Sequence, residues 1–160
     1  MVWAKLRTET FSSNSSSKIS GFVEVRKFVQ CIIHGLVTGG DGFTRWRLNN
    51  DTGSNYSDRI SSNGGAESTA TSASSLRCID QGSNCDFFVI SYLTNISNGE
   101  KICISFGVDI GASGAGTAPS RNEMCGKWTN VSTQSSSLDY YDSASIGADA
   151  YSNLTTLGTD

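Results

Sequence analysis

Apolar and polar residues alternate along most of the chain with a period of two, and the 3.6-residue helical period is nearly absent. Residues 2–11 set Val2, Ala4 and Leu6 against Trp3, Lys5 and Arg7. A serine-rich turn follows over 12–18. Residues 19–37 are rich in β-branched and aromatic side chains, among them Phe22, Val25, Phe28, Ile32 and Ile33. At about 3.3 Å per residue that run is too long for one ordinary strand, so two strands with a bend near 24–27 are expected. Thr38-Gly-Gly-Asp-Gly42 has hairpin-turn composition. Residues 43–48 then alternate Phe43, Arg45 and Arg47 against Thr44, Trp46 and Leu48.

The second half reads in the same way. An Asn/Asp/Gly loop over 49–58 leads into a brief strand near 56–61, and 67–75 is a Ser/Thr/Ala stretch without pattern. A polar loop over 79–84 lies between Cys78 and Cys85. Residues 87–94 form the most apolar strand. They turn through 95–99 into 100–109, where Ile102, Ile104 and Phe106 are expected to face the core. A glycine-rich loop over 111–119 precedes 123–131, with Met124, Gly126 and Trp128 on alternating positions. Segments 137–141 and 151–157 complete the pattern. Eight or nine short strands separated by turns predict an all-β fold: a single antiparallel β-sandwich, jelly-roll-like, forming one domain over residues 1–160. Residues 1–17 read as an N-terminal strand and tether that neighbouring copies can exchange.

Composition sharpens this picture. Ser, Thr, Asn and Gly make up 69 of 160 residues, charged residues only 17%, and the net charge is −3. Twelve basic against fifteen acidic side chains exclude a nucleic-acid protein held by bulk charge. No apolar run approaches the ~18 residues that span a bilayer as a helix.

Candidate chemistry is sparse. The one histidine, His34, lies in a strand, and no Gly-x-Ser-x-Gly elbow supplies a nucleophile for it. The five glutamates, Glu9, Glu24, Glu67, Glu100 and Glu123, single out no pair suited to glycoside hydrolysis. Gly111-Ala-Ser-Gly-Ala-Gly116 lacks the Lys-Ser/Thr of a phosphate-binding loop. The chain is therefore read as non-enzymatic, without catalytic residues. In the loop after Leu48, Asn49, Asp51 and Asn55, with Asp58 nearby, carry oxygens at alternating positions. Two readings stand: a calcium site, the only cofactor considered, and an array of Asx turns satisfying local backbone N–H groups. Of the adjacent Tyr140 and Tyr141 one must point outward from a strand, which makes this pair the candidate sugar platform.

Five cysteines form an odd set. Cys78 and Cys85 flank a loop they can close as a disulfide, Cys103 and Cys125 lie on segments that can face each other, and burial as small hydrophobes is the competing reading. Asn-X-Ser/Thr sequons occur at Asn14, Asn50, Asn55, Asn95, Asn130 and Asn153, where chance gives roughly three. Such an excess suits a surface displayed outside a cell, yet the N-terminus shows no apolar stretch of a secretory signal. A particle assembled inside a cell and released by lysis needs none.

Arg47-Leu-Asn-Asn-Asp-Thr-Gly-Ser-Asn-Tyr56, with Arg59 and Ser62-Asn-Gly-Gly65, begins a set of loop motifs. The set continues with Glu100-Lys101, Gly114-Ala-Gly-Thr-Ala-Pro-Ser-Arg121, Lys127-Trp128 and Leu157-Gly-Thr-Asp160. Over residues 43–160 the chain resembles a loosely defined group of small β-sandwich proteins encoded among virion genes of tailed phages and archaeal viruses. The cysteines depart from that group. The resemblance implies a component of the virion surface: a capsid decoration, tail or fibre protein. Its expected partners are copies of itself, with a trimer as the candidate state, and other virion proteins. Two further readings remain open, a module binding cell-surface glycans and an extracellular filament subunit built by strand donation.

Overall fold

The computed structural model describes residues 2–13, 15–22, 24–39, 42–82, 84–142 and 147–160. Twelve strands run through them: β1 (Ala4–Thr10), β2 (Ser17–Gly21), β3 (Phe28–Val37), β4 (Gly42–Leu48), β5 (Tyr56–Ser62) and β6 (Ser68–Ala73) in the first half. The second half holds β7 (Leu76–Gln81), β8 (Cys85–Thr94), β9 (Lys101–Asp109), β10 (Ser120–Trp128), β11 (Ser137–Asp142) and β12 (Asn153–Thr159). Eight strands form one sheet in the order β1-β12-β3-β8-β9-β10-β5-β6, and four form a second, β2-β11-β4-β7. Every pairing is antiparallel. The fold is all-β and sandwich-like, and a single apolar cluster fills the space between the sheets.

The pairs are nested. β1 pairs with β12 in the large sheet, β2 with β11 in the small one, β3 with β8 in the large, and β4 with β7 in the small. The remaining strands are two excursions: β5–β6 between β4 and β7, and β9–β10 between β8 and β11. Both dock on the large sheet and extend it beyond β8.

Twelve strands exceed the eight or nine expected, and the surplus has physical causes. β6, with the sequence STATSA, is largely exposed on both faces, so no apolar alternation marks it; backbone pairing with β5 alone makes it a strand. β7 is the opposite case. It is buried at Leu76, Arg77, Cys78, Ile79 and Gln81, and its polar residues obscure a strand that the sequence shows as a loop. Arg77 is tolerated there because Asp58 on β5 receives it, with Nε donating to Oδ1 at 2.7 Å and the backbone N–H to Oδ2 at 2.9 Å. The break near 24–27 separates β2 from β3 as expected, and the two lie in different sheets. The stretch after β3 does not form the expected hairpin, because β3 and β4 also lie in different sheets; Gly40 and Asp41 themselves fall outside the described residues.

The largest departure is the facing of β9. Its buried positions are Lys101, Cys103, Ser105 and Asp109, with Gly107 between the last two; Ile102, Ile104, Phe106 and Val108 point to solvent. Interior partners explain the choice. Trp46 Nε1, deep in the small sheet, donates to Ser91 Oγ at 2.7 Å, and Ser91 Oγ lies 2.5 Å from Ser105 Oγ. Gly107 leaves room for Ile79, which a Cβ there would approach to 3.0 Å. Lys101 Nζ donates to the carbonyls of Gly99 and Asn130 at 2.9 and 2.8 Å. Strict alternation then sends the apolar set of β9 outward.

Replacing Ser91 by Ala leaves the buried Trp46 N–H without its acceptor. The Ser91→Ala protein should lose about 1–3 kcal/mol of stability, read as a lower urea midpoint with an unchanged slope.

Candidate interaction surface

Of the residues proposed to hold a cation, Asn49, Asp51 and Asp58 accept from protein donors, and the Asn55 side chain donates to Asp51. Asp51 Oδ1 accepts from the Gly53 N–H at 2.8 Å, while Oδ2 accepts from Asn55 Nδ2 at 2.9 Å and Trp128 Nε1 at 2.7 Å. Burial pushes the Asp51 carboxyl pKa up, but these three bonds outweigh it and hold the group below its ordinary value. Asn49 Oδ1 accepts from the backbone of Ser136 and Ser137. Asp58 lies away from the loop's oxygens, bound to Arg77 between the sheets. Within the loop Asp51 makes an Asx turn with the Gly53 N–H, and Tyr56 at its end stacks on Trp128. Among the described residues no group of three or more His, Cys, Asp and Glu is arranged to hold a metal ion.

Among the described residues no disulfide joins any two cysteines, so the expected Cys78–Cys85 bridge is not formed. Cys78 belongs to β7 and Cys85 to β8, strands of different sheets, and the Cys85 thiol donates to the Gly82 carbonyl. Cys103 and Cys125 point to opposite faces of the large sheet, one buried and one exposed. Burial pushes the thiols of Cys31 and Cys78 well above their ordinary value and that of Cys103 up to about 12.

Among the sequons, Asn50, Asn55 and Asn153 are exposed and Asn130 is half-buried. Asn95 is fully buried; its amide donates to the carbonyls of Arg26 and Ser135 and accepts from the Ser135 N–H, which excludes a glycan there. Asn14 lies outside the described residues. Tyr140 and Tyr141 do not form a sugar platform. Tyr140 is buried edge-on to Phe11, and the face of Tyr141 is covered by the Arg47 guanidinium 3.8 Å from its centroid. His34 is exposed between Asn153 and Phe88, and Glu100 pairs with Lys127 at 2.7 Å.

What the fold does bring together is the outer face of the large sheet. Three cross-strand rows run over β3, β8 and β9: Ile32–Ile90–Phe106, Gln30–Tyr92–Ile104 and His34–Phe88–Val108. Leu36, Ile102 and Trp3 extend the apolar area. A pocket of about 400 Å³ sits at one end, lined by Trp3, Phe28, Tyr92, Thr94, Ile102 and Ile104. Beyond β9 the character changes to Arg121, Glu123 and Lys127 on β10 and Arg59 on β5, both signs interspersed. An apolar centre beside a charged margin is the anatomy of a protein contact surface. The sequence carries one trace of it. Phe87, Phe88, Val89 and Ile90 are apolar on both faces of β8, as in strands covered on both sides.

No family model and no curated protein matches this chain. Two solved structures are similar over most of its length at low identity. One is Scytalido-glutamic peptidase with a peptide-based transition-state analog, 12% identical with a TM-score of 0.31 over 91% of this chain; the chain spans 63% of that protein's length. The other is the CBM2 module of the evolved Dit of Lactobacillus casei BL23 phage J-1, 10% identical with a TM-score of 0.22, over 96% of this chain and 69% of that one. At these scores neither likeness bears on function.

Two outcomes follow from the geometry. Calorimetric titration with calcium should give no heat and no change in melting temperature, because both Asp51 oxygens already have donors. A thiol reagent should label one cysteine quickly in the native protein, Cys125, and all five only after denaturation.

Proposed function

We propose that the protein is a non-enzymatic structural component of a virus particle, a jelly-roll-like sandwich that assembles with copies of itself at the particle's surface. The apolar outer face of β3, β8 and β9 carries this reading. A polar, weakly charged chain has placed Phe88, Phe106, Ile102 and Ile104, all exposed, side by side on one sheet, the arrangement of a surface made for contact.

The wiring supports the jelly-roll assignment. A ribbon of nested antiparallel pairs, β1·β12, β2·β11, β3·β8 and β4·β7, alternates between two sheets, with β5–β6 and β9–β10 as insertions. Such double-sheet folds serve in viral capsids and lectins, an analogy of architecture only. Of those two roles the geometry favours assembly. The pocket beside Trp3 and Tyr92 is walled almost entirely by apolar groups, and its hydroxyls are already engaged: Thr94 Oγ1 accepts from the Ile102 N–H at 2.9 Å and Tyr92 Oη from Gln30 Nε2 at 3.1 Å. A sugar needs polar partners there.

Light scattering and electron microscopy of the purified chain at rising concentration test the reading. Discrete closed oligomers are expected. Fibres would favour the filament subunit, and a chain that stays at 17.0 kDa throughout would refute self-assembly.

A further inference from the structure

We infer that the outer face of β3, β8 and β9 is covered by the same face of a second copy, related by a two-fold axis, so that two large sheets stack between two small ones. The inference rests on the self-assembly reading and adds which surface makes the contact and in what symmetry.

Area is the first argument. Trp3, Leu36, Phe88, Tyr92, Ile102, Ile104, Phe106 and Val108 are each 38–57% exposed. Together they present roughly 700 Å² of mostly apolar surface, close to the ~800 Å² of total surface that each partner contributes to a standard interface. It also exceeds the ~300–600 Å² of the largest patch on an ordinary monomer.

Charge is the second. Besides the Tyr92 phenol, the rows over β3, β8 and β9 carry only His34 and Asp86 as ionisable groups, both toward one end, so placing the face against itself opposes no row of like charges. A strongly acidic or basic partner would find nothing there to pair with. Shape is the third. Phe106, 53% exposed, projects from the same face that holds the apolar pocket beside Trp3 and Tyr92. Projection and hollow on one surface are what an isologous contact requires, since each copy offers both. Two sheets stacked in this way lie ~10 Å apart with side chains interdigitated, which covers β8 on the second of its two apolar faces.

Sedimentation equilibrium of wild type and of the double variant Ile104→Lys/Phe106→Lys tests this. Both positions are solvent-facing, and circular dichroism and melting curves establish that the variant is folded. Wild type should have an even multiple of the 17.0 kDa chain mass. The variant's association should weaken at least roughly 100-fold, as expected when central anchors are lost. A measurement on wild type alone runs beside it: acrylamide quenching of Trp3, the exposed member of the three tryptophans, should fall as association proceeds.

A folded variant that keeps the wild-type mass overturns the surface assignment while self-assembly stands. A mass of three chains overturns the two-fold pairing. Quenching that does not change while the mass rises places the contact elsewhere and overturns it too. A monomeric wild type overturns this inference and the self-assembly reading together.

Discussion

The side chain of Ser105 faces inward, and much of the molecule's surface follows from that. Its hydroxyl ends a buried chain that begins at Trp46 in the small sheet and passes through Ser91 on β8. A buried indole N–H without an acceptor is costly, so this chain fixes how the two sheets lie over one another and which way β9 faces. Alternation in a strand has no intermediate setting. With Ser105 inward, Ile104 and Phe106 must be outward, and the hydrophobic gain of burying them inside the sandwich is forgone. Gly107 reinforces the setting by making space for Ile79, a side chain from the opposite sheet.

Similar polar pins hold the rest of the sandwich. Asp58 and Arg77 tie β5 to β7 across the interior, with side chains 0% and 10% exposed. Removing either partner would leave a buried charge unpaired, a loss of about 3–5 kcal/mol. Asp51 holds the 49–55 loop against Trp128, and Tyr56 closes the same end by hydrogen bonds with the backbone of Leu48. Within this Asn- and Asp-rich loop, the side-chain oxygens of Asn49 and Asp51 are thus given over to the fold.

How far the sequence was legible follows from where it had an apolar face to show. β4 and β10 announce themselves because alternation and burial agree there, β3 and β8 because they are dense apolar runs, and Trp46 and Trp128 lie in the core as their positions imply. β6 has no apolar face and β7 buries polar ones, so neither pattern is visible without the partners that sustain it. The facing of β9 departs from its apolar pattern for a related reason. Hydrophobicity ranks Ile102, Ile104 and Phe106 as interior, and only the distant Trp46 and Ser91 make the opposite side the better one to bury. The best hint of the outer surface lay in the strand before it, where Phe87 to Ile90 leave neither face polar. The aromatic pair Tyr140–Tyr141 shows the converse: alternation put one ring outward, but Arg47, on the neighbouring strand β4, covers its face.

The nested wiring and the outer face are two sides of one arrangement. Four pairs alone would make sheets of equal size, each with one buried and one solvated face. The excursions β5–β6 and β9–β10 both join the large sheet and leave the small sheet at four strands. β9 lies directly against β8, and between them they carry Phe88, Tyr92, Ile104 and Phe106 on adjacent rows. The insertion therefore adds no second layer over the outer side; it widens an apolar surface that β8 already began. A strand apolar on both faces is at home only when covered on both, and the fold covers β8 on one. In the proposed pairing, the same face of a second copy supplies that missing layer.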